Sequence, residues 1–341
     1  MKIAGRTIGS NEPPYIVADI SASHNHDLAR GFDLIEIAKE CGADAVKFQA
    51  YTPEGVSLDM DRAEFVIKSG PWAGYRLFDL YTKAHTPRDM LAKLFDHAAN
   101  VGITAFSTAC TEDDVDFLET LGNPAIKIAS LDIVNLPLIE HAASKGKPVI
   151  ISTGMANDDD VWEAYANANG CSGGALFLHC VSAYPCALED ANLSLIREWR
   201  ASDIPFGYSD HTIGHEAAVM AIALGAVMIE KHLTLSREDG GPDDHFATEP
   251  REFAAMVDAV HAAWQAMCEP EGKTGDEAHQ PLRPSIWAIQ DIAAGEPFTR
   301  ENVRAIRPAG GLPPKELPDL LLCRAATAIA RGTPISLEHV E

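Results

Sequence analysis

The feature that most constrains this chain is an eightfold alternation. Short runs of strand character occur at 16–20, 45–49, 104–109, 125–130, 149–153, 175–181, 206–210 and 228–232. Segments with helical spacing separate them, as where Leu28, Phe32, Ile35 and Ala38 recur at intervals of four, three and three and lay one apolar stripe against a sheet. The runs are near-continuously apolar, which is how strands covered on both faces read. Eight such units predict an α/β fold, a (β/α)8 TIM barrel.

A barrel absorbs about 250 residues, and the chain has 341. The expected division is a barrel over 1–268, a linker over 269–281 rich in Gly, Pro and charge, and a small module over 282–341. That module repeats itself: Ile292 to Val303 and Ile329 to Val340 share one turn-then-cap arrangement. So short a module buries a marginal core, so it is expected to lean on its own barrel or a partner's. From Tyr51 to Pro87 the chain departs from a compact connection. The aromatics Phe65, Trp72, Tyr75, Phe78 and Tyr81 argue that this insert is ordered and packs over the site as a wall or lid.

Composition removes several classes of function. No apolar run approaches 18 residues and Met1 to Ser10 has no apolar signal core, so neither a membrane span nor a secretory leader is expected. Seven cysteines without a C-x-x-C pair point to a reducing cytoplasm. A net charge of −23 repels nucleic acid, and an anionic substrate must be met by local cations, for which Lys47, Lys127 and Lys231 are candidates.

Barrel enzymes place their chemistry at the carboxyl ends of the strands. Here those ends carry Asp19 with His24 and Asn25, then Lys47 and Gln49, Ser107 and Thr108, Lys127 and Ser130, and Ser152 and Thr153. The last three carry His179, Ser182 and Tyr184, then Ser209, Asp210 and His211, then Glu230, Lys231 and His232. His211 and His232 lie one strand-helix-strand repeat apart, so both can face one pocket, where an imidazole pair suits a divalent metal. His24, His26 and His85 read instead as solvent-facing loop histidines, and Cys110 and Cys180 as packing residues with no base beside them.

Seven motifs carry a resemblance over essentially the whole chain. They are Gly42 to Gln49 (GADAVKFQ), Lys127 to Ser130 (KIAS), Ser152 to Met155 (STGM), His179 to Pro185 (HCVSAYP), Ser209 to Thr212 (SDHT), Glu230 to His232 (EKH) and Gly240 to Asp243 (GGPD). In this order they resemble the sialic acid synthase family, and the insert and Ser182 are most similar to its pseudaminic acid synthase branch. The tail resembles that family's antifreeze-like (SAF, β-clip) domain.

The resemblance implies condensation of phosphoenolpyruvate with a 2,4-diacetamido-2,4,6-trideoxyhexose and water, giving pseudaminic acid and phosphate. A legionaminate or N-acetylneuraminate synthase is the nearer alternative, and a catalytically silent sugar-binding homologue the further one. The implied metal ligands are His211 and His232, holding Mn2+, with Mg2+ or Co2+ as alternatives. Implied substrate ligands are Lys47, Gln49, Lys127, Ser130, Ser152, Ser182, Ser209 and Arg307, the last reaching a neighbouring subunit in a domain-swapped homodimer. Asp19, Asp132, Tyr184 and Asp243 are the implied catalytic groups. Asp19 and Asp132 stand where the family pattern has glutamate, which withdraws each carboxyl by roughly 1 Å. Ser23, His26, Ala109, Cys110 and Pro284 also depart from that pattern.

Overall fold

The computed structural model describes residues 1–168, 170–199, 205–268 and 275–341. These fall into two compact units, Met1–Cys268 and Glu269–Glu341. Of the expected linker, 269–274 lies outside the described residues, and Glu277–Leu282 forms a 3-10 turn.

The first unit opens with a hairpin, β1 (Lys2–Ile3) and β2 (Arg6–Thr7). Eight parallel strands then close into a barrel. They are β3 (Tyr15–Asp19), β4 (Ala45–Ala50), β5 (Thr104–Ala109), β6 (Ile126–Ile128), β7 (Val149–Ser152), β8 (Ala175–His179), β9 (Phe206–Asp210) and β10 (Met228–His232). Every one coincides with an expected run to within two residues at each end, β8 being the shortest of its run and β6 losing a residue or two at both ends.

Between the strands run α1 (Leu28–Glu40), α2 (Pro53–Val56), α3 (Leu77–Ala84), α4 (Arg88–Val101), α5 (Glu112–Thr120) and α6 (Leu136–Ser144). Then come α7 (Asp158–Ala168), α8 (Ser194–Trp199), α9 (Glu216–Leu224) and α10 (Pro250–Met267). Local chemistry fixes several starts. Asp27 accepts the first-turn amides of Ala29 and Arg30, and Thr111 with Asp114 forms a reciprocal cap on α5.

Strand parity sorts the side chains into two cores. Ile16, Ala18, Val46, Phe48, Ile126, Ile128, Val149, Ile151, Tyr208 and Ile229 pack outward against the helices. Tyr15, Val17, Ala45, Phe106, Ala125, Ile150, Leu176 and Met228 fill the barrel, with Ile3 and Ile8 of the hairpin region closing its lower end. The next inward positions up the strands are polar. The same period of two therefore sends Asp19, Lys47, Lys127, Ser152, Ser209 and Glu230 into the upper barrel.

The second unit packs around Ile286, Ala288, Ile292, Phe298, Val303, Leu320, Ala325, Ile329 and Ile335. Its strands are β11 (Ser285–Ala288) and β12 (Val303–Ile306), with a short α11 (Leu317–Leu320). The internal echo is structural. Ile292 and Ile329 pair with each other through reciprocal 2.8 Å backbone bonds, and Gly295 and Gly332 take left-handed φ values of 79° and 87° at equivalent turns.

Candidate active site

Lys47 is the hub of the upper barrel. Its Nζ lies 2.9 Å from Asp19 Oδ2 and 3.0 Å from Glu230 Oε1, and all three side chains are buried. Burial would strip the Lys47 proton, but the two carboxylates outweigh it and hold the ammonium charged. Glu230 also accepts from Ser209 Oγ at 2.9 Å. Burial opposes its charge, yet Lys127 and Lys47 pull its pKa below the ordinary carboxylate range. Burial pushes Asp19 up, and the neighbouring Glu230 charge adds to this against the pull of Lys47. One carboxylate thus stays ionised while its neighbour is poised to take a proton.

Lys127 donates to Ser152 Oγ at 2.6 Å and to the carbonyl of Ile128 at 3.0 Å. Neither partner is an anion, and desolvation lowers its pKa. Above it Ser130 Oγ accepts from the Gly154 amide at 3.1 Å and lies 3.1 Å from Cys180 Sγ. Ser182 Oγ is buried without a partner. Gly154 is required here: a Cβ would meet Ser182 Oγ at 2.3 Å, and Cys180 Sγ and Ser130 Oγ at 2.9 Å.

A third group spans the first and last strands. Gln49 donates to Ser21 Oγ, Ser21 donates to Asp243 Oδ2, and Asp243 Oδ2 lies 3.9 Å from His232 Nδ1. The loop carrying Asp243 is pinned through Asp244, which accepts from Thr234 Oγ1 and the Gly241 amide.

The rings of His211 and His232 are 5.7 Å apart between centroids. Burial lowers His211 to about 3 and His232 to about 4, so both are neutral imidazoles near neutral pH. His211 Nδ1 donates to the Val181 carbonyl at 2.7 Å, which leaves its Nε2 lone pair free. His232 Nδ1 is buried without a hydrogen-bond partner. Two neutral imidazoles with unused nitrogens fit a divalent ion. Among the described residues no group of three or more His, Cys, Asp or Glu is arranged to hold one, so the protein's share of such a shell is this pair.

Aromatic rings wall the pair. Tyr184 lies 4.2 Å from His211 with the two rings tilted by 38°, Phe246 lies 4.9 Å from His232, and Trp72 of the insert lies 5.4 Å from Tyr184. Burial drives the Tyr184 phenol well above its ordinary range, so it stays protonated. Asp132 follows β6 in the 3-10 turn Ser130–Asp132, where burial raises it to about 6 against the pull of a Cys110 hydrogen bond and Lys127. Arg307 is exposed after β12, in the second unit.

Two expectations are overturned. Lys231 does not meet a substrate anion: parity turns it out of the barrel, into an ion pair with Asp210 at 2.7 Å. His24 is fully buried, not solvent-facing; its Nε2 pairs with Thr86 Oγ1 at 2.8 Å and its Nδ1 accepts the His26 amide. The sequence alone assigns Glu230 no role beyond its place at a strand end and does not single out Ser21 or Phe246, whereas Trp72 lies in the insert expected to pack over the site. For Glu230 a signal existed, since it shares strand parity with His232 while Lys231 does not.

A closed parallel barrel with a buried cluster of lysines, carboxylates and imidazoles at its carboxyl end defines a barrel enzyme. Residues 34–272 match the NeuB family and residues 283–341 the SAF domain, and the chain belongs to the NeuB family. It is 37% identical over 335 residues to a pseudaminic acid synthase of Helicobacter pylori, spanning 97% of this chain and 98% of that one. It is 32% identical to an N,N'-diacetyllegionaminic acid synthase of Legionella pneumophila, over 98% and 96% of the two chains. The crystal structure of an N-acetylneuraminic acid synthetase from Leptospira borgpetersenii superposes with a TM-score of 0.74 at 30% identity, covering 82% of this chain and 94% of the other.

Proposed function

We propose that this enzyme condenses phosphoenolpyruvate with the open-chain aldehyde of a 2,4-diacetamido-2,4,6-trideoxyhexose and water, giving pseudaminic acid and phosphate. The observation that carries the reading is the near-complete match to a pseudaminic acid synthase, together with Lys47 and Lys127 buried at the carboxyl ends of their strands. Both lysines make charge-assisted bonds to the phosphate and carboxylate of the enol ester, and Ser130, Ser152, Ser182 and Ser209 donate the neutral ones. Gln49 holds the sugar.

C3 of the enol attacks the aldehyde carbon, water adds to the cation left at C2, and the tetrahedral intermediate expels phosphate. Asp19 and Asp132, both raised toward neutrality, are the groups able to exchange protons in these steps, with Asp243 and the neutral Tyr184 phenol placed by the sugar end. His211 and His232 would hold a divalent ion, Mn2+ with Mg2+ or Co2+ as alternatives. When bound, that ion supplies a Lewis acid at the aldehyde oxygen.

We place the enzyme in the cytoplasm, a reducing compartment that suits its seven free thiols. A domain-swapped homodimer completes the site, Arg307 of one subunit serving the other. Exposed Leu131, Val134, Met155, Leu188 and Ile213 on the strand-end loops form the kind of apolar rim that a partner covers.

Phosphate release tests the reading. The chelated protein, reloaded with Mn2+, is supplied with phosphoenolpyruvate and, in turn, the pseudaminate-type sugar, its legionaminate-type isomer and N-acetylmannosamine. Release is expected with the first sugar above the other two, and only with metal. Preference for another sugar moves the assignment to that synthase; silence with all three overturns it in favour of a sugar-binding homologue.

A further inference from the structure

Asp210 and Lys231 each stand one residue before one of the two histidines. Strand parity turns both away from the barrel interior, to the layer occupied by Tyr208 and Ile229. There Asp210 is 1% and Lys231 2% exposed. Lys231 Nζ donates at 2.7 Å to Asp210 Oδ2 and at 2.7 Å to the carbonyl of Thr212. The other carboxylate oxygen accepts from the Thr212 amide at 2.8 Å and the Thr212 hydroxyl at 2.7 Å. The pair therefore grips the backbone on the far side of His211 at both the N–H and the C=O of residue 212.

Stability alone does not account for this arrangement. Taking two charges out of water costs about as much as their attraction returns, and an apolar pair would fill the same layer. Nor is the pair needed to join β9 to β10, since the ladder from Ile229 with Tyr208 to Lys231 with Asp210 already does so. What an apolar pair could not do is fix Thr212, which lies beyond the end of β9. With Val181 holding the ring and this pair holding the following peptide, His211 has no freedom to swing, and the same lysine adjoins His232.

We infer that Asp210 and Lys231 are positioning residues, a buried clamp that sets the separation of His211 and His232 so that both can reach one divalent ion. The inference rests on the reading of those histidines as metal ligands. It makes no use of their protonation.

The test uses the full-length protein and the variants K231M, D210N and D210N/K231M. Either single change leaves a buried group without its partner and can cost the fold; the double change removes both charges at nearly constant volume and keeps it. Mn2+ affinity is titrated by calorimetry without substrates, and the imidazole resonances of His211 and His232 are recorded in the metal-free protein. The folded double variant is expected to bind Mn2+ about tenfold or more weakly, as for other residues that orient metal-binding histidines. Its phosphoenolpyruvate affinity should stay within about twofold of the parent, and both imidazole resonances should move. Unchanged Mn2+ affinity and unmoved resonances overturn the clamp. If the parent itself binds no Mn2+, the ligand reading has failed separately, and the resonances decide alone: moved together they support the clamp, unmoved they end it.

Discussion

Trp72 Nε1 donates to the carbonyl of Pro242 at 3.0 Å, which fastens the insert to the loop that carries Asp243. A residue 170 positions away in sequence thus roofs the histidine pair. Trp72→Phe keeps a ring and loses the bond; Trp72→Ala loses both. The expected result is a loss of about tenfold in kcat/KM for the sugar in W72F and a larger one in W72A. Phosphoenolpyruvate KM should change little in either. Equal effects on both substrates would mean that the insert shapes the whole barrel rather than the sugar end.

The two lysines should part company in stability. Lys47 neutralises two buried carboxylates, so Lys47→Met strands both and is expected to destabilise by about 3 kcal/mol or more. Lys127 has a hydroxyl and a carbonyl for partners, so Lys127→Met removes a buried charge that burial itself disfavours. Because Lys127 also helps keep Glu230 ionised, the change is expected to cost some stability, but less than Lys47→Met, while abolishing phosphoenolpyruvate binding. Urea denaturation of the two variants checks the order, and a K127M less stable than K47M would contradict it.

Gly154→Ala tests the convergence of Ser130, Cys180 and Ser182. The new methyl would push three heteroatoms apart by several tenths of an ångström each. Phosphoenolpyruvate affinity is expected to fall about tenfold or more, with little change in metal affinity. Normal phosphoenolpyruvate binding in G154A would place the substrate elsewhere.

The eight strands were legible because most are buried on both faces and so read as near-continuous apolar runs; Val149 to Ser152 is an instance. Their polar ends were legible for the same reason, since polarity breaks the run. Parity was available but harder to see. Lys231 was read as an anion ligand from its charge, although the apolar Ile229 two residues before it faces the helices and fixes its direction outward. His24 was beyond reach: its partner Thr86 lies 62 residues on, at the far end of the insert, and no local pattern announces that contact. The hairpin over Lys2–Thr7 is two residues per strand, too short for any periodicity.

Asp132 yields a pH test with a definite sign. Its folded-state pKa is raised to about 6 by burial, above the ordinary carboxylate value. Between about pH 4 and 6 the native protein therefore binds more protons than the unfolded chain, and this group's contribution to stability falls as pH rises through that window. Above it the ionised, partly desolvated carboxylate is a standing cost, which Asp132→Asn removes. D132N is expected to match the parent near pH 4 and to exceed it by about 2 kcal/mol at pH 7. In the parent, kcat should rise through pH 6 as Asp132 ionises to serve as base, and that limb should vanish from the residual activity of D132N. A variant no more stable than the parent at pH 7 would show that the Cys110 and Lys127 interactions already offset the burial. A limb surviving in D132N would pass the base to Asp19.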